Sequence, residues 1–387
     1  MDLGLLVEWI IKSVVIIGVL LTGFAYETWL ERKVVSKMQF RIGPNRAGPF
    51  GLLLPLADGI KLIFKEELTP AMADKWVFRV APIMSMVVAL ITFAVIPVGP
   101  SINLFGRVIP LRLADINIGL MYVLAVSSLG VYGIVLGGWS SNNKYALLGG
   151  LRSSAQLISY ELALGLSLMG VVMLTGSLSL VDIVNAQAGN FWNWNIFLQP
   201  LGFILYGICG LAETNRAPFD LPEAEQELTA GYHTEYSGMK FALFFMAEYI
   251  NMVNVSAIAS TMFLGGWRAP FGFIPEWTGP VWFFIKVLAF LFTYIWIRAT
   301  IPRLRYDQLM NFGWKVLLPL AIANVMVTAI TMALRQVYTP NAAVTVTFGS
   351  VLLIVAAVFL WRSWTSRSMR RRPPVHGTSA ESAARTA

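Results

Sequence analysis

Residues 118–138 read IGLMYVLAVSSLGVYGIVLGG and contain no charged side chain. An α-helix rises about 1.5 Å per residue, so a run of this length crosses the roughly 30 Å hydrocarbon core of a bilayer. The run is continuously apolar rather than alternating, which favours a helix over a strand of a membrane barrel. This stretch therefore predicts a transmembrane helix.

Similar runs recur along the chain, whose 387 residues are 57% hydrophobic and 13% charged, with a mean hydropathy of +0.66. We predict an all-α polytopic membrane protein, because helices satisfy their own backbone hydrogen bonds in lipid. One transmembrane domain is expected over residues 1–362 and a disordered basic tail over 363–387. About nine spans are predicted, at residues 5–30, 77–98, 118–138, 157–175, 197–213, 241–264, 281–300, 312–334 and 342–361.

Lysine and arginine are concentrated in every second connection between these spans and in the C-terminal tail. The connection at 31–76 carries eight of them, and the connections at 139–156 and 299–311 carry two each. Cytoplasmic loops are enriched in these residues, so we predict an outer N-terminus and a cytoplasmic C-terminus. The formal net charge of +8 follows from this loop asymmetry and does not indicate nucleic-acid binding.

Redox and metal chemistry within this chain is not supported by its composition. One cysteine, Cys209, and two histidines, His233 and His376, are too few for an iron–sulfur cluster, a structural zinc site or a pair of haem ligands. No phosphate-binding glycine-lysine loop occurs. We expect no metal site, a core position for Cys209, and redox cofactors in other subunits if electrons are transferred nearby.

The first cytoplasmic connection contains an amphipathic segment within residues 48–70, GPFGLLLPLADGIKLIFKEELTP. The segment places apolar residues on one helical face and charged residues on the other. We predict an interfacial helix that lies along the membrane, with a plain anchor as the alternative of about equal weight. The apolar face comprises Leu53, Leu56, Ile60 and Phe64, and the polar face comprises Asp58, Lys61 and Lys65.

Three acidic residues lie at, or slightly inside, the cytoplasmic ends of predicted spans: Glu161, Glu213 and Glu248. A carboxylate within a membrane is costly and usually faces a polar cavity or a partner. Burial makes such a group able to exchange protons near neutral pH, which a proton relay requires. The alternative is a structural hydrogen bond.

The stretch at 212–227, AETNRAPFDLPEAEQE, is an acidic loop between two apolar spans. Two prolines interrupt it, and a short helix over 221–230 would place Glu223 and Glu227 on one face, with Glu225 pointing elsewhere. Neighbouring carboxylates of this kind are able to store and pass protons. The alternative is a solvated loop that docks a basic partner.

Further charged residues flank the acidic loop on the predicted cytoplasmic side. The segment after the seventh span contains Arg298, Arg303, Arg305 and Asp307, and the first span ends at Glu31, Arg32 and Lys33. These residues are expected to neutralise the loop or to line a cavity shared with it. Lys12 and Lys286, near the outer ends of spans, are interpreted as snorkelling to the membrane surface.

Five segments resemble the H subunit of proton-pumping NADH:quinone oxidoreductase, the respiratory complex I. They occur in the order and spacing of that family and cover the first eight spans. Leu54 departs from the glutamine usual in the family, which removes a polar group from that position. The segments are ERKVVSKMQFRIGPNRAGPFG at 31–51, LADGIKLIFKEELTP at 56–70, GWSSNNKYALLGGLRSSAQLISYE at 138–161, AETNRAPFDLPEAEQELTAGYHTEYSGMKFALFFMAEY at 212–249 and RATIPRLRYDQLMNFGWKVLLP at 298–319.

The resemblance implies a membrane chamber for a quinone, ubiquinone or menaquinone, and the beginning of a proton path. FMN and iron–sulfur clusters would belong to partner subunits in the peripheral arm, and small and antiporter-like membrane subunits would be further partners. The location implied is a bacterial cell membrane. The chamber and the loop beneath the peripheral arm would involve Glu31, Arg32, Arg41, Arg46, Asp58, Lys61, Arg216, Asp220, His233, Arg303, Arg305 and Asp307. The proton path would involve Glu161, Glu213, Glu223, Glu225, Glu227 and Glu248.

Three alternatives remain at the level of sequence. The first is the corresponding subunit of a membrane-bound hydrogenase or of a ferredoxin- or F420-linked dehydrogenase, which would use another electron donor. A secondary transporter would show repeated halves with broken helices, and no convincing repeat is present. A passive anchor for a peripheral arm would need none of the buried acids.

Overall fold

The computed structural model describes residues 3–104, 107–220 and 230–337, together with residues 349 and 352. An antiparallel hairpin in the connection after α3 pairs β1, Ile102–Leu104, with β2, Arg107–Ile109, so that Asn103 lies opposite Val108. The rest of the regular structure consists of helices. They are α1 Leu3–Met38, α2 Leu54–Phe64, α3 Lys75–Thr92, α4 Gly119–Ser140, α5 Lys144–Thr175, α6 Leu180–Ala186, α7 Asn195–Leu198, α8 Pro200–Glu213, α9 Gly238–Phe263, α10 Gly279–Thr300, α11 Tyr306–Phe312 and α12 Leu318–Val337.

Seven helical segments within the described residues are long and apolar enough to cross a membrane. Six of them correspond to α1, α3, α4, α5, α9 and α10. The seventh runs through α11, a π-helical turn at Gly313–Leu317, and α12. These segments confirm the predicted all-α polytopic class.

The predicted number of nine spans is not confirmed. The fifth predicted span, 197–213, contains only the short apolar helix α8. Pro200 begins this helix, and the non-helical backbone at Gln199 separates it from α7. The ninth predicted span, 342–361, falls almost wholly outside the described residues, as does the entire tail at 363–387.

Two helices extend far beyond their predicted ends. α1 continues to Met38, so Glu31 lies on the helix rather than in the connection at 31–76. α5 begins at Lys144, where the side chain of Asn143 accepts a hydrogen bond from the backbone N–H of Tyr145. Hydropathy places a helix end where charges begin, whereas the helix itself continues until a cap, glycine or proline interrupts its hydrogen bonds.

The core lies where α5, α8 and α9 meet, and α9 is buried along most of its length. Cys209 of α8 is fully buried there, as predicted. α4 and α5 approach closely at Gly138, where a Cβ atom would lie 2.7 Å from the carbonyl oxygen of Ala146. We refer to the end of the bundle where residues 214–237 connect α8 to α9 as the loop end.

The predicted amphipathic helix is present as α2. Its apolar residues, including Leu56 and Phe64, are exposed within the described chain. The carboxylate of Asp58 on its polar face pairs with Arg32 of α1 at 2.9 Å and with Lys61 at 3.2 Å. The polar face is therefore fixed to α1, whereas the apolar face is free to contact lipid or another subunit.

Candidate functional site

A cluster of charged and aromatic side chains lies at the loop end, between α1, α9, α10 and the segment that follows α8. We refer to it as the ion cluster: Glu31, Arg216, Glu248, Tyr249 and Arg298. Glu31 accepts hydrogen bonds from the Tyr249 hydroxyl at 2.5 Å and from the Arg298 guanidinium. The carboxylate of Glu31 is thus held by two different helices of the bundle.

Arg216 joins the two acids of the ion cluster. Its Nε atom lies 2.6 Å from Oε1 of Glu248, and its Nη1 atom lies 3.7 Å from Oε1 of Glu31. The guanidinium also lies over the ring of Tyr249, 4.1 Å from the ring centre. With 4% of its surface exposed, Arg216 depends on these contacts, because a buried charge is costly unless it is paired and hydrogen-bonded.

The backbone around Arg216 is positioned by Gln156 of α5. The side-chain amide of Gln156 is buried and donates to the carbonyl oxygens of Ala212 and Phe219, each at 2.8 Å. These two carbonyls stand on either side of Arg216 in the chain. The Gln156 amide therefore links the backbone on the two sides of Arg216 and fixes the segment that places Arg216 near Glu31.

A second set of contacts holds the beginning of the acidic loop against the segment after α10. The backbone N–H of Leu304 donates to the carbonyl oxygen of Pro218 at 3.0 Å. The guanidinium of Arg303 donates to the carbonyl oxygen of Asp220 at 3.3 Å. The Arg303 side chain thus contacts the backbone of Asp220. These two hydrogen bonds anchor the loop as far as Asp220, the last described residue before 221–229.

A large open cavity of about 760 Å³ adjoins the ion cluster. Its walls come from α1, from the connection that follows α1, and from α9 and α10. This volume suits a ring-sized polar headgroup together with part of an apolar tail. The lining residues are Thr28, Glu31, Arg32, Val35, Ser36, Gln39, Arg41, Gly43, Pro44, Phe245, Tyr249, Arg298 and Ala299.

A smaller polar cavity of about 50 Å³ lies deeper in the bundle and is lined by Glu248, Glu161, Glu213 and Asn251, among others. The Ser127 hydroxyl lies on the wall of the same cavity as Glu213. A cavity of this size and polarity has room for water. Three predicted acids from three helices are therefore brought to one cavity.

A third cavity of about 20 Å³ continues from the second and shares Ser127, Glu213 and Asn251 with it. Asn254 of α9 lies on its wall and donates to the carbonyl oxygen of Ala89 at 2.8 Å. Polar groups therefore extend from Glu31, through the Arg216–Glu248 pair, into the interior of the bundle.

Other predicted site residues lie apart from the three cavities. Arg46 is exposed. Arg305 and Asp307 pair with each other at 3.2 Å on the exposed surface. Lys61 is linked to the site through its pair with Asp58, which also pairs with Arg32. Glu223, Glu225 and Glu227 lie outside the described residues.

His233 is buried among aromatic rings and does not line the large cavity. Its ring lies 3.8 Å from the ring of Tyr232 and 5.4 Å from those of Phe241 and Phe244, measured between centres. Burial lowers the pKa of His233 to about 3, so the ring is neutral. Nearby, the ring of Tyr236 stacks on Phe78 at 4.1 Å, and burial raises the pKa of Tyr236 to about 12.

Glu27, Gln156 and Tyr249 also belong to this region and were not predicted from the sequence. Glu27 lies one helical turn before Glu31 and is buried, so the helical spacing was a signal that could have found it. Tyr249 directly follows Glu248 and carries no comparable signal. Gln156 is a neutral amide in an apolar stretch, and its role depends on contacts with residues far away in the chain.

Lys286 of α10 does not snorkel, contrary to the prediction. It is buried, and its Nζ atom donates to the carbonyl oxygens of Leu264, Gly266 and Arg268 at 2.5, 2.8 and 2.7 Å. The ammonium also lies 4.3 Å from the ring centre of Trp194. Lys286 therefore holds the turn that ends α9. Lys12, in contrast, pairs with Glu8 at 2.6 Å on α1.

Comparison with known proteins shows that this chain is similar to NADH dehydrogenase proteins and to subunits of NADH-quinone oxidoreductase. The family model described as NADH dehydrogenase matches residues 11–329. A relative from Koribacter versatilis, named as a second H subunit of NADH-quinone oxidoreductase, is 57% identical over 343 residues, covering 84% of this chain and 97% of the relative.

Two further relatives are also named as H subunits of NADH-quinone oxidoreductase. The protein from Thermomicrobium roseum is 56% identical over 337 residues, covering 85% of this chain and 97% of its own length. The protein from Frankia casuarinae is 51% identical over 360 residues, covering 90% of this chain and 79% of its own length.

Proposed function

This chain belongs to the NADH dehydrogenase family, among the H subunits of NADH-quinone oxidoreductase, and on that premise we propose that its large cavity receives the quinone headgroup. The observation that carries the proposal is the position of the ion cluster. Glu31 lines the large cavity, Glu248 lines the inner polar cavity, and Arg216 contacts both acids.

The wall of the large cavity offers groups suited to a quinone. Quinone oxygens accept hydrogen bonds and gain negative charge on reduction, so hydroxyl and guanidinium donors stabilise the reduced form. Tyr249, Arg298 and Arg41 supply such donors. Phe245 and Val35 supply apolar contacts for the ring and the beginning of the tail.

A proton path is proposed from the ion cluster into the bundle. Quinone reduction to quinol consumes two protons, and a proton that passes to the quinone through Glu31 changes the charge that Arg216 and Glu248 experience. Glu248 passes this change to Glu161 and Glu213, with which it shares the inner cavity. The loop acids Glu223, Glu225 and Glu227 are proposed to exchange protons with the same path.

The cofactors and partners follow from the family. We propose that electrons reach the quinone from FMN and iron–sulfur clusters in peripheral subunits, which contact the loop end. Small membrane subunits and antiporter-like subunits are proposed to receive the proton signal. The chain is proposed to lie in a bacterial plasma membrane with its N-terminus outside and the loop end cytoplasmic, as the distribution of lysine and arginine predicts.

The test is the substitution Glu248→Gln in the intact complex, measured by quinone reduction and proton-gradient formation per assembled complex. Both rates are expected to fall roughly a hundredfold, because a titrating group is removed while size is retained. Glu248→Asp is expected to retain part of both rates. Glu276→Gln is the matched control, since Glu276 is an exposed acid outside the cluster. Parental rates in Glu248→Gln would refute the proposed path.

A further inference from the structure

Glu27 is a buried acid beside the ion cluster that the proposed function does not use. It lies four residues before Glu31 on α1, so both side chains project from one face of the helix. The same face carries Phe24, whose ring lies 5.6 Å from that of Tyr249 and packs α1 against α9. Glu27 is 5% exposed.

Both carboxyl oxygens of Glu27 are buried without a hydrogen-bond partner among the described residues. The other acids in this region differ, because Glu31 is paired with Arg298 and Glu248 with Arg216. A buried polar group without a partner is costly, and a buried charge without a partner costs far more. A carboxyl group at such a position calls for a role that offsets this cost.

The charges of the ion cluster balance when the carboxyl group of Glu27 is neutral. Among the described residues, this region contains three acids, Glu27, Glu31 and Glu248, and two guanidinium groups, Arg216 and Arg298. Glu27 interacts electrostatically with both acids and with Arg216. With the two paired acids ionised, the two cations are balanced, and a proton on Glu27 keeps the buried region free of net charge.

We propose that Glu27 is a proton-storing residue that acts through Glu31 and supplies a proton to the quinone during its reduction. This inference rests on the proposed function of the ion cluster. The O–H bond of Glu27 breaks, and the proton joins the Glu31 carboxylate. Glu31 then transfers its proton to an oxygen of the reduced quinone and returns to its initial charge.

The step leaves Glu27 ionised near the positive charge of Arg216. One proton from the aqueous side restores the neutral carboxyl group, so the residue is unchanged over a full cycle. The two electrons of the reduction come from NADH oxidation by the complex, and Glu27 supplies only the proton. Arg216 therefore stabilises the charged form that exists between the two proton transfers.

The experiment compares Glu27→Gln, Glu27→Leu and Glu27→Asp in the intact complex, with quinone reduction measured as a function of pH and quinone concentration. The Gln and Leu variants are expected to lower kcat about tenfold to a hundredfold, with KM for quinone unchanged and the alkaline limb of the kcat profile displaced. The Asp variant is expected to recover part of kcat. Glu8→Gln is the matched control on the same helix, because Glu8 pairs with Lys12 away from the cluster.

Parental kcat and an unchanged pH profile in Glu27→Gln would overturn the inference. If Glu27 were purely structural, Glu27→Leu would keep the parental pH profile, since the removal of an unpaired buried group would affect packing and no proton transfer. If Glu27→Gln slows no step while Glu248→Gln does, only this inference fails; if neither slows, the proposed function fails with it.

Infrared difference spectroscopy of quinone reduction provides a second measurement if Glu27→Gln does not assemble. In time-resolved spectra, the parent complex is expected to lose a protonated-carboxyl band transiently, before the aqueous proton restores it, and Glu27→Asp is expected to displace that band. A band that is absent in the parent complex, or unchanged in Glu27→Asp, would refute proton storage at Glu27.

Discussion

The ion cluster and the Lys286 site are both buried sites of charge, yet they differ in how the charge is satisfied. Lys286 donates to three backbone carbonyls, each fixed by the turn after α9. In the ion cluster, charged side chains from several elements pair with one another beside an open cavity.

This difference separates a structural charge from one suited to function. The partners of Lys286 are neutral carbonyl groups that do not titrate, so they do not change charge when protons are transferred. The partners of Arg216 are carboxylates, whose charge changes when protons or a substrate arrive. Burial alone therefore does not identify a functional charge, whereas the titratability and access of its partners do.

The largest expected effect is that of Arg216→Met. It removes a cation that pairs with Glu248 and one of the cations near Glu31, at a cost of about 3–5 kcal/mol. We expect quinone reduction to be lost and the subunit to dissociate from the solubilised complex at a lower temperature. Thermal dissociation and activity are measured on the same membranes, with Arg305→Met as the control at an exposed pair. An active, stable Arg216→Met complex would contradict the assignment of the ion cluster as a functional site of charge.

Lys286→Met is expected to destabilise the subunit by about 3 kcal/mol, because three buried carbonyls lose their donor. The fraction that assembles should reduce quinone at the parental rate, since Lys286 is remote from both cavities. The measurement is activity per assembled complex together with thermal dissociation. A large fall in the specific rate of assembled complex would show that the two sites are coupled.

Gln156→Leu is expected to cost about 2 kcal/mol, because the carbonyl oxygens of Ala212 and Phe219 each lose a buried donor. The rate should also fall, since these carbonyls flank Arg216. In the double variant with Arg216→Met, the loss of activity should be no greater than for Arg216→Met alone, because both changes act through one group. Additive losses would show that Gln156 acts independently of Arg216.

The smallest expected effect concerns acid stability and His233. Burial lowers its folded pKa to about 3, so the unfolded state binds more protons below its ordinary pKa of 6.5. Stability is therefore lost as the pH falls from 6.5 towards 3. Between about pH 7 and about pH 5.5 the loss is about 1 kcal/mol.

The variant His233→Phe should be less sensitive to this change of pH, because its ring cannot be protonated and its aromatic neighbours are retained. Thermal dissociation of the parent and variant complexes is measured at both pH values. Equal sensitivity in the two complexes would contradict the buried neutral imidazole.

Several features of this protein were predictable from sequence because they depend on local composition. Long apolar runs, the amphipathic pattern of α2 and the acids at span ends are readable in this way, and seven long apolar segments confirm the fold class. Glu161, Glu213 and Glu248 were selected as acids beside the membrane, and the structure brings them to one cavity. Helix ends and the number of spans were less predictable, because caps, breaks and packing determine them.

The sequence by itself thus determined that this chain is a helical membrane protein with ionisable groups placed at the ends of its helices. Only the tertiary structure decided which groups meet. Arg216 and Glu31 are far apart in the chain and share no local pattern, yet the fold brings them to 3.7 Å from each other. Gln156, Glu27 and Lys286 acquire their roles in the same way, because a buried polar group is defined by the partners that packing brings to it or withholds from it.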